Sequence, residues 1–334
     1  MKTTYRAIHL VGKGGLDKLV PVELPLANPA AGELRVRVRA TGVGYTDVIM
    51  RRGQYPYRPD FPFVPGYEVV GVVDAVGADV KGFAVGDRVA ALTVYGGYAE
   101  YLTRAAADFV KVPDGLDDAE VAAVILNYVT AWQMIHRAAK LQRGQSALVT
   151  GASGGVGLAM LELLREAGVR AIGAASKKHY ELVEARGATP IESRGAPLDT
   201  AVAAIVPGGV DASFDAVGGA SASQCVKATR RGGIFVCYGF TAGVESDWAT
   251  ARGAFALFVG APLTGRRSEF YGITALYRKD PKPFHEDLPK VLELLRQKRI
   301  EPRIARRLPL LDGREAQALL EAGGVAGKIV LVAS

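Results

Sequence analysis

With two cysteines, Cys225 and Cys237, the chain has no material for a disulfide framework or a sulfur-rich zinc site, and both stand in apolar stretches expected in a core. Histidine is nearly as scarce. His9, His136, His179 and His285 are scattered, and none forms the close pair of a metal-binding motif. No apolar run approaches ~18 residues, so no integral membrane segment is expected. The segment from Met1 to Leu10 lacks the continuous apolar stretch of a secretory signal, and the chain reads as cytoplasmic. Repeats and low-complexity segments are also missing. Lysine and arginine exceed the acidic residues by 41 to 34, a net charge of +7 that favours anionic ligands without naming one. The densest basic run is Arg296, Lys298, Arg299, Arg303, Arg306 and Arg307. It has no interleaved aromatic rings for bases to stack on, so it reads as a solvated helix end and loop, and no nucleic acid partner is expected.

Glycine, by contrast, is abundant. Forty glycines in 334 residues imply many turns, and 49% hydrophobic content is enough for the cores of about two domains at ~150 residues each. The first third is rich in strand patterns. Leu34-Arg35-Val36-Arg37-Val38-Arg39 alternates apolar and basic residues with the period of a half-buried strand, and Val69 to Val76 and Arg88 to Leu92 are further candidates. Near Ala119 the pattern changes to a long, mostly apolar helix from Glu120 to Ala139.

From Ala147 onward strand and helix patterns alternate. The segments are Ala147 to Val149, Val156 to Glu166, Val169 to Ala174, His179 to Arg186, Asp199 to Val206, Val210 to Asp215, Ser221 to Thr229 and Ile234 to Tyr238, with a last strand placed at Glu269 to Ile273. Such alternation predicts an α/β fold with a doubly wound parallel sheet. Asp287 to Arg299 and Gly313 to Glu321 read as amphipathic helices, and Lys328 to Val332 as a terminal strand that returns to the first domain.

Between the first strand and helix of that alternation lies Gly151-Ala152-Ser153-Gly154-Gly155-Val156-Gly157. A small-residue turn from strand to helix cradles the pyrophosphate of a dinucleotide. Gly154 admits the phosphates closely, Gly157 lets helix and strand approach, and the amides near Gly155 and Val156 face the negative charge; Gly151 and Ala152 complete the turn. Ser176-Lys177-Lys178-His179 follows the second strand, at about the ~20-residue distance where the adenosine ribose is read. Lysines there attract a 2′-phosphate that a carboxylate would repel by about 4 kcal/mol at ~4 Å and an effective dielectric near 20, so NADPH is the expected cofactor.

Several further stretches complete a family pattern: Pro65-Gly66-Tyr67-Glu68-Val69-Val70-Gly71, Gly86-Asp87-Arg88-Val89, Asn127-Tyr128-Val129-Thr130-Ala131-Trp132, Asp215-Ala216-Val217-Gly218-Gly219 and Gly327-Lys328-Ile329-Val330-Leu331. With the glycine turn, they make nearly the whole chain resemble the medium-chain dehydrogenase/reductase superfamily, within it the zinc-free quinone oxidoreductase branch of zeta-crystallin and VAT-1-like proteins. The resemblance implies a GroES-like β-rich catalytic domain from residues 1–122 and 279–334, a Rossmann domain from 123–278, and a homodimer paired along Rossmann sheet edges. It also implies that Asn127, Thr130, Gly218, Tyr238, Gly239 and Phe240 lie toward the cofactor. Zinc relatives place a cysteine at Gly44, a histidine at Tyr67 and a cysteine near Leu126, so no metal is expected; the four-cysteine structural loop is also missing between Leu92 and Tyr98.

The resemblance then implies direct hydride transfer to a quinone, with Tyr45, Tyr55 and Tyr67 as candidate donors to the oxygen that gathers charge. Alternatives are reduction of a 2-alkenal, enone or enoyl thioester by the same hydride, and an NADPH-binding adaptor or sensor with little turnover. Three departures from the relatives stand out: Gly44 where asparagine is frequent, His179 where a lysine is found, and Ser193 near a tyrosine position.

Overall fold

The computed structural model describes residues 3–239 and 247–333. It divides into two compact units, Met1–Val129 with Tyr277–Ser334, and Thr130–Leu276.

In the first unit the described residues form a seven-stranded sheet, Ile304–Pro309, Lys328–Val332, Glu33–Val43, Glu68–Val76, Arg88–Leu92 and Val110–Lys111 in spatial order, with Tyr101–Ala105 also paired to Glu33–Val43. The alternation in Glu33–Val43 does what its period dictates: Leu34, Val36, Val38 and Ala40 are buried, while Arg35 turns out to meet Asp74 at 2.6 Å. A two-stranded hairpin, Thr4–Leu10 with Leu19–Pro25, precedes the sheet. The terminal strand Lys328–Val332 runs antiparallel to Glu33–Val43, pairing Ile329 with Val43, and so carries Lys328 in beside the start of Glu68–Val76.

The second unit contains six parallel strands in the order Thr189–Glu192, Arg170–Ala175, Ser146–Thr150, Val210–Asp215, Thr229–Cys237 and Arg267–Phe270. Numbered along the chain within the unit, that order is 3-2-1-4-5-6, the doubly wound arrangement of dinucleotide-binding folds. All five residues of Ser146–Thr150 are buried, as a strand covered on both faces requires. The helix Gly155–Glu166 lays Leu158, Leu161 and Leu164 into the core, and its buried Glu162 is held by Arg186 at 2.9 Å. Arg267–Phe270 lies at one sheet edge. Beside it the helical stretch Asp247–Leu263 exposes Trp248, Phe255, Phe258 and Leu263, and Phe270 is exposed on the strand itself.

Four elements depart from the sequence expectation. The long helix is α-helical over Asp118–Gln133 and then widens into a π-turn over Met134–Ala139, closed by Lys140 in the left-handed region with both its amide and that of Leu141 bonded to the Ile135 carbonyl. The last strand of the parallel sheet is Arg267–Phe270, and Ile273 opens a helix instead. Arg306 and Arg307, expected in a loop, lie on the strand Ile304–Pro309, and Arg307 grips Asp117 through two bonds of 3.0 and 2.9 Å. The helix read from Asp287 begins earlier, at Lys282. No described helix is long and apolar enough to cross a membrane.

Candidate active site

At the carboxyl end of Ser146–Thr150 the chain makes the glycine turn and enters the helix Gly155–Glu166, with Gly154 extended as its cap. The turn is tied to both neighbours: the Ala152 amide donates to the Ala174 carbonyl at 3.2 Å, and the Gly154 amide to the Gly151 carbonyl at 2.9 Å. Gly157 sits against this turn. A Cβ there would lie 2.8 and 2.9 Å from the Cα and carbonyl carbon of Ala152 and closer still to the Gly151 carbonyl oxygen. The first-turn amides of the helix, including Gly155 and Val156, have no intrahelical acceptor and point toward anything bound beyond the strand ends.

Ser176, Lys177 and Lys178 leave the carboxyl end of the adjacent strand Arg170–Ala175, so the parallel sheet places them on the same edge as the glycine turn. Both lysines are exposed. The Ser176 hydroxyl lies 3.4 Å from His179 Nδ1, which orders the short turn.

On the other side of the switch in strand order, Asp215 ends Val210–Asp215 fully buried. Its carboxylate accepts from the Thr150 hydroxyl at 2.6 Å, the Ser221 hydroxyl at 2.8 Å, and the amides of Val217 and Gly218 at 3.1 and 3.0 Å. Burial raises its pKa against the pull of those four donors. Asp215 thereby fixes the turn at Gly218. Tyr238 and Gly239 follow the next strand, and a Cβ on Gly239 would meet the Ala216 carbonyl oxygen at 2.6 Å. Two buried hydroxyls of this unit, Thr130 Oγ1 and Tyr238 Oη, have no hydrogen-bond partner among the described residues. Orphaned buried hydroxyls are rare in folded proteins and here suit a polar ligand group, which is how the residues present fit a dinucleotide. Asn127 is buried three residues before Thr130 on the helix Asp118–Gln133. Phe240 lies outside the described residues.

The candidate donors lie in the first unit, where two of the three come together. The Tyr55 and Tyr67 hydroxyls are 2.7 Å apart, their rings edge-on at 6.2 Å, and Tyr57 meets Tyr55 edge-on in turn. Tyr67 is 2% exposed. Burial, Tyr55, and the carboxylates of Asp47 and Glu68 hold its hydroxyl well above the usual phenol range, so it keeps its proton. Tyr45 begins the helix Tyr45–Arg51, half-buried, and is not part of the pair.

Beneath the tyrosines lies a buried polar layer. Asp47 accepts from the Gly44 amide at 2.9 Å and the Gly66 amide at 3.1 Å, clamping the start of its helix to the turn before Tyr67; burial pushes its pKa up to about 7. Glu68, fully buried, pairs with Lys328 Nζ at 2.6 Å, where burial raises the carboxyl and Lys328 draws it back. Gly42 leaves room for this pair, because a Cβ there would run into the Glu68 carboxylate and the Lys328 chain and force one of them to shift. Arg51, 2% exposed, bonds Gln317 at 2.8 Å and pairs with Glu321. Lys328 and Arg51 were not among the expected site residues. The only sequence signal was a lysine heading an apolar strand, which reads equally as a surface residue.

Gly44 and Leu126, where zinc relatives carry ligands, face each other: a Cβ on Gly44 would lie 3.9 Å from the Leu126 side chain. Neither offers a donor atom. Among the described residues no cluster of three or more His, Cys, Asp or Glu side chains is placed to hold a metal.

Comparison with known proteins finds relatives along nearly the whole chain. Residues 30–114 match the alcohol dehydrogenase GroES-like domain, and 186–331 match the family described as zinc-binding dehydrogenase. The synaptic vesicle membrane protein VAT-1 homolog-like of Mus musculus is 30% identical over 98% of this chain and 81% of its own length. A quinone oxidoreductase-like protein 2 homolog of Nematostella vectensis is 30% identical over 99% of this chain and 89% of its own. Among solved structures, a mycobacterial protein complexed with NADPH superposes with a TM-score of 0.85 at 27% identity, covering 98% of this chain and 99% of that one.

Proposed function

Since the chain belongs to the medium-chain dehydrogenase/reductase superfamily, among VAT-1-like and quinone oxidoreductase proteins, we propose that it is a zinc-independent NADPH:quinone oxidoreductase. The observation that carries this reading is the hydroxyl pair of Tyr55 and Tyr67, of which Tyr67 holds, by the family resemblance, the position of a zinc-binding histidine.

When bound, NADPH supplies a hydride. The first-turn amides of Gly155–Glu166 would hold its pyrophosphate, the lysines after Arg170–Ala175 its 2′-phosphate, and the Thr130 and Tyr238 hydroxyls, without a partner among the described residues, would bond its polar groups. A quinone carbonyl that accepts hydride gathers negative charge on oxygen. Either hydroxyl of the pair can donate to the other; with Tyr67, kept protonated by burial, as the donor, the less buried Tyr55 would donate onward to that oxygen. The same donors serve the enolate formed on a conjugated alkene, so substrate choice is decided by assay.

NADPH oxidation is to be followed with quinones, enones and enoyl thioesters, each with and without a chelator. Quinone turnover indifferent to the chelator supports the reading; preference for an enoyl thioester moves the assignment, and loss on chelation sinks it. Tyr55→Phe should lower kcat by ~100-fold, Tyr67→Phe by about tenfold, with NADPH affinity unchanged. Unchanged kcat in both would remove the donor role.

For cofactor choice, replacing Lys177 and Lys178 together by alanine should weaken NADPH roughly tenfold while changing NADH less than about twofold. Equal weakening of the two cofactors would mean the lysines do not read the 2′-phosphate.

We propose further that a second copy covers the exposed face at Trp248, Phe255, Phe258, Leu263 and Phe270, next to Arg267–Phe270, the terminal strand of the sheet among the described residues. A cluster of exposed large hydrophobic side chains forms a surface that monomers usually avoid. Sedimentation should give a dimer, and Phe258→Glu with Leu263→Asp should shift it toward monomer; a native monomer contradicts the pairing.

A further inference from the structure

A cavity lies in the first unit, lined by none of Tyr45, Tyr55, Tyr67, Asp47 or Glu68. It holds about 390 Å³ between the end of the strand Thr4–Leu10's hairpin, the turn before Gly66, and the strand Tyr101–Ala105. Its walls are aromatic: Tyr5 and Tyr101 meet edge-on at 6.0 Å, and Phe63 and Tyr95 edge-on at 6.4 Å. One cation lines it. The Arg104 guanidinium carbon sits over the Tyr95 ring, 4.3 Å from its centre, and the group donates through Nη2 to the Tyr95 carbonyl at 3.0 Å and more weakly through Nη1 to the Tyr95 hydroxyl at 3.4 Å.

Its Nε–H, shut away from solvent, has no acceptor, and no carboxylate stands within ion-pair distance of Arg104 among the described residues. Asp108 is the carboxylate that feels its charge, from farther off. Each Nη keeps a second hydrogen beyond its bond to Tyr95, and a guanidinium without a paired carboxylate at the cavity wall suits a planar anion. Flat walls, one fixed cation, and a volume at the small end of ligand sites describe one chemical class.

We infer that this cavity is a binding site for a one- or two-ring aromatic carboxylate, its ring between Tyr5, Phe63 and Tyr101 and its carboxylate on Arg104. None of the residues lining it belongs to the glycine turn or the tyrosine pair, so the inference stands whether or not the protein reduces quinones.

The test is calorimetric titration of the full-length protein with 2-naphthoate and with the neutral 2-naphthamide, each with and without saturating NADPH. The acid should bind saturably at one site, roughly tenfold or more tighter than the amide, and equally well in the presence of NADPH. Arg104→Gln should erase the preference for the acid, and Arg104→Lys should keep part of it. Absence of saturable binding overturns the inference, as does equal affinity for acid and amide or displacement of the acid by NADPH. The acid and amide comparison on the unmodified protein decides the matter even if the Arg104 variants fold poorly.

Discussion

Gly157→Ala is expected to abolish measurable NADPH binding and to lower the melting temperature of the protein. The obstacle is backbone against backbone. The added methyl would enter the Gly151 carbonyl oxygen and approach Ala152 at 2.8 and 2.9 Å, and neither can rotate away as a flexible side chain could. Relief requires the helix Gly155–Glu166 to move off the strand Ser146–Thr150, which opens a core containing Leu158 and Leu161 and redirects the first-turn amides. Overpacking of this kind costs about 1–3 kcal/mol or more in stability, and displaced amides lose the phosphate geometry altogether. Cofactor fluorescence titration and a thermal melt check the two effects separately. Gly154→Ala serves as a milder comparison, since its Cβ would meet only the Gly151 carbonyl oxygen, at 3.2 Å. Full NADPH affinity in Gly157→Ala would refute the close packing.

Lys328→Met is the second large effect. It leaves Glu68 fully buried without its cation, and breaking a buried pair in this way costs about 3–5 kcal/mol. The deficit depends on pH with a definite sign. Burial already lifts the Glu68 pKa above 4.5, and loss of Lys328 lifts it further, so the folded variant holds a proton that the unfolded chain releases. Stability is therefore greatest below about pH 4.5, the unfolded value, and falls as pH rises toward the raised folded value. Denaturant unfolding at pH 5 and pH 8 should show the variant closer to the native protein at the lower pH. Adding Glu68→Gln should recover much of the loss at pH 8, because it removes the unpaired charge. A variant as stable as the native protein at pH 8 would show that the pair contributes nothing.

Much of this was readable before any coordinates. The parallel sheet could be followed because its strands are short apolar runs separated by glycines, and burial on both faces leaves no other pattern available. Val210–Asp215, Arg88–Leu92 and Lys328–Val332 fall where the sequence placed them. The π-turn at Met134–Ala139 was not readable, since its residues keep the composition of the helix before it and differ only in hydrogen-bond spacing. Nor was Thr189–Glu192, a four-residue strand with a proline, legible as sheet.

The candidate site divides the same way. Glycines and lysines that act through local backbone geometry can be located by spacing. Asp215 as a four-donor clamp, Lys328 beside Glu68 and the meeting of Tyr55 with Tyr67 all depend on where distant segments arrive, which one-dimensional spacing does not encode. Tyr55 and Tyr67 were expected only as separate candidate donors, and the fold joined them.

The uncovered aromatic face along Asp247–Phe270 carries one more consequence. If a second copy is what shields Phe258 and Leu263, assembly and folding draw on the same free energy, and mass action links them. Dilution then acts as a mild denaturant. Melting temperature should climb with protein concentration, and activity lost in very dilute stocks should return on concentrating them.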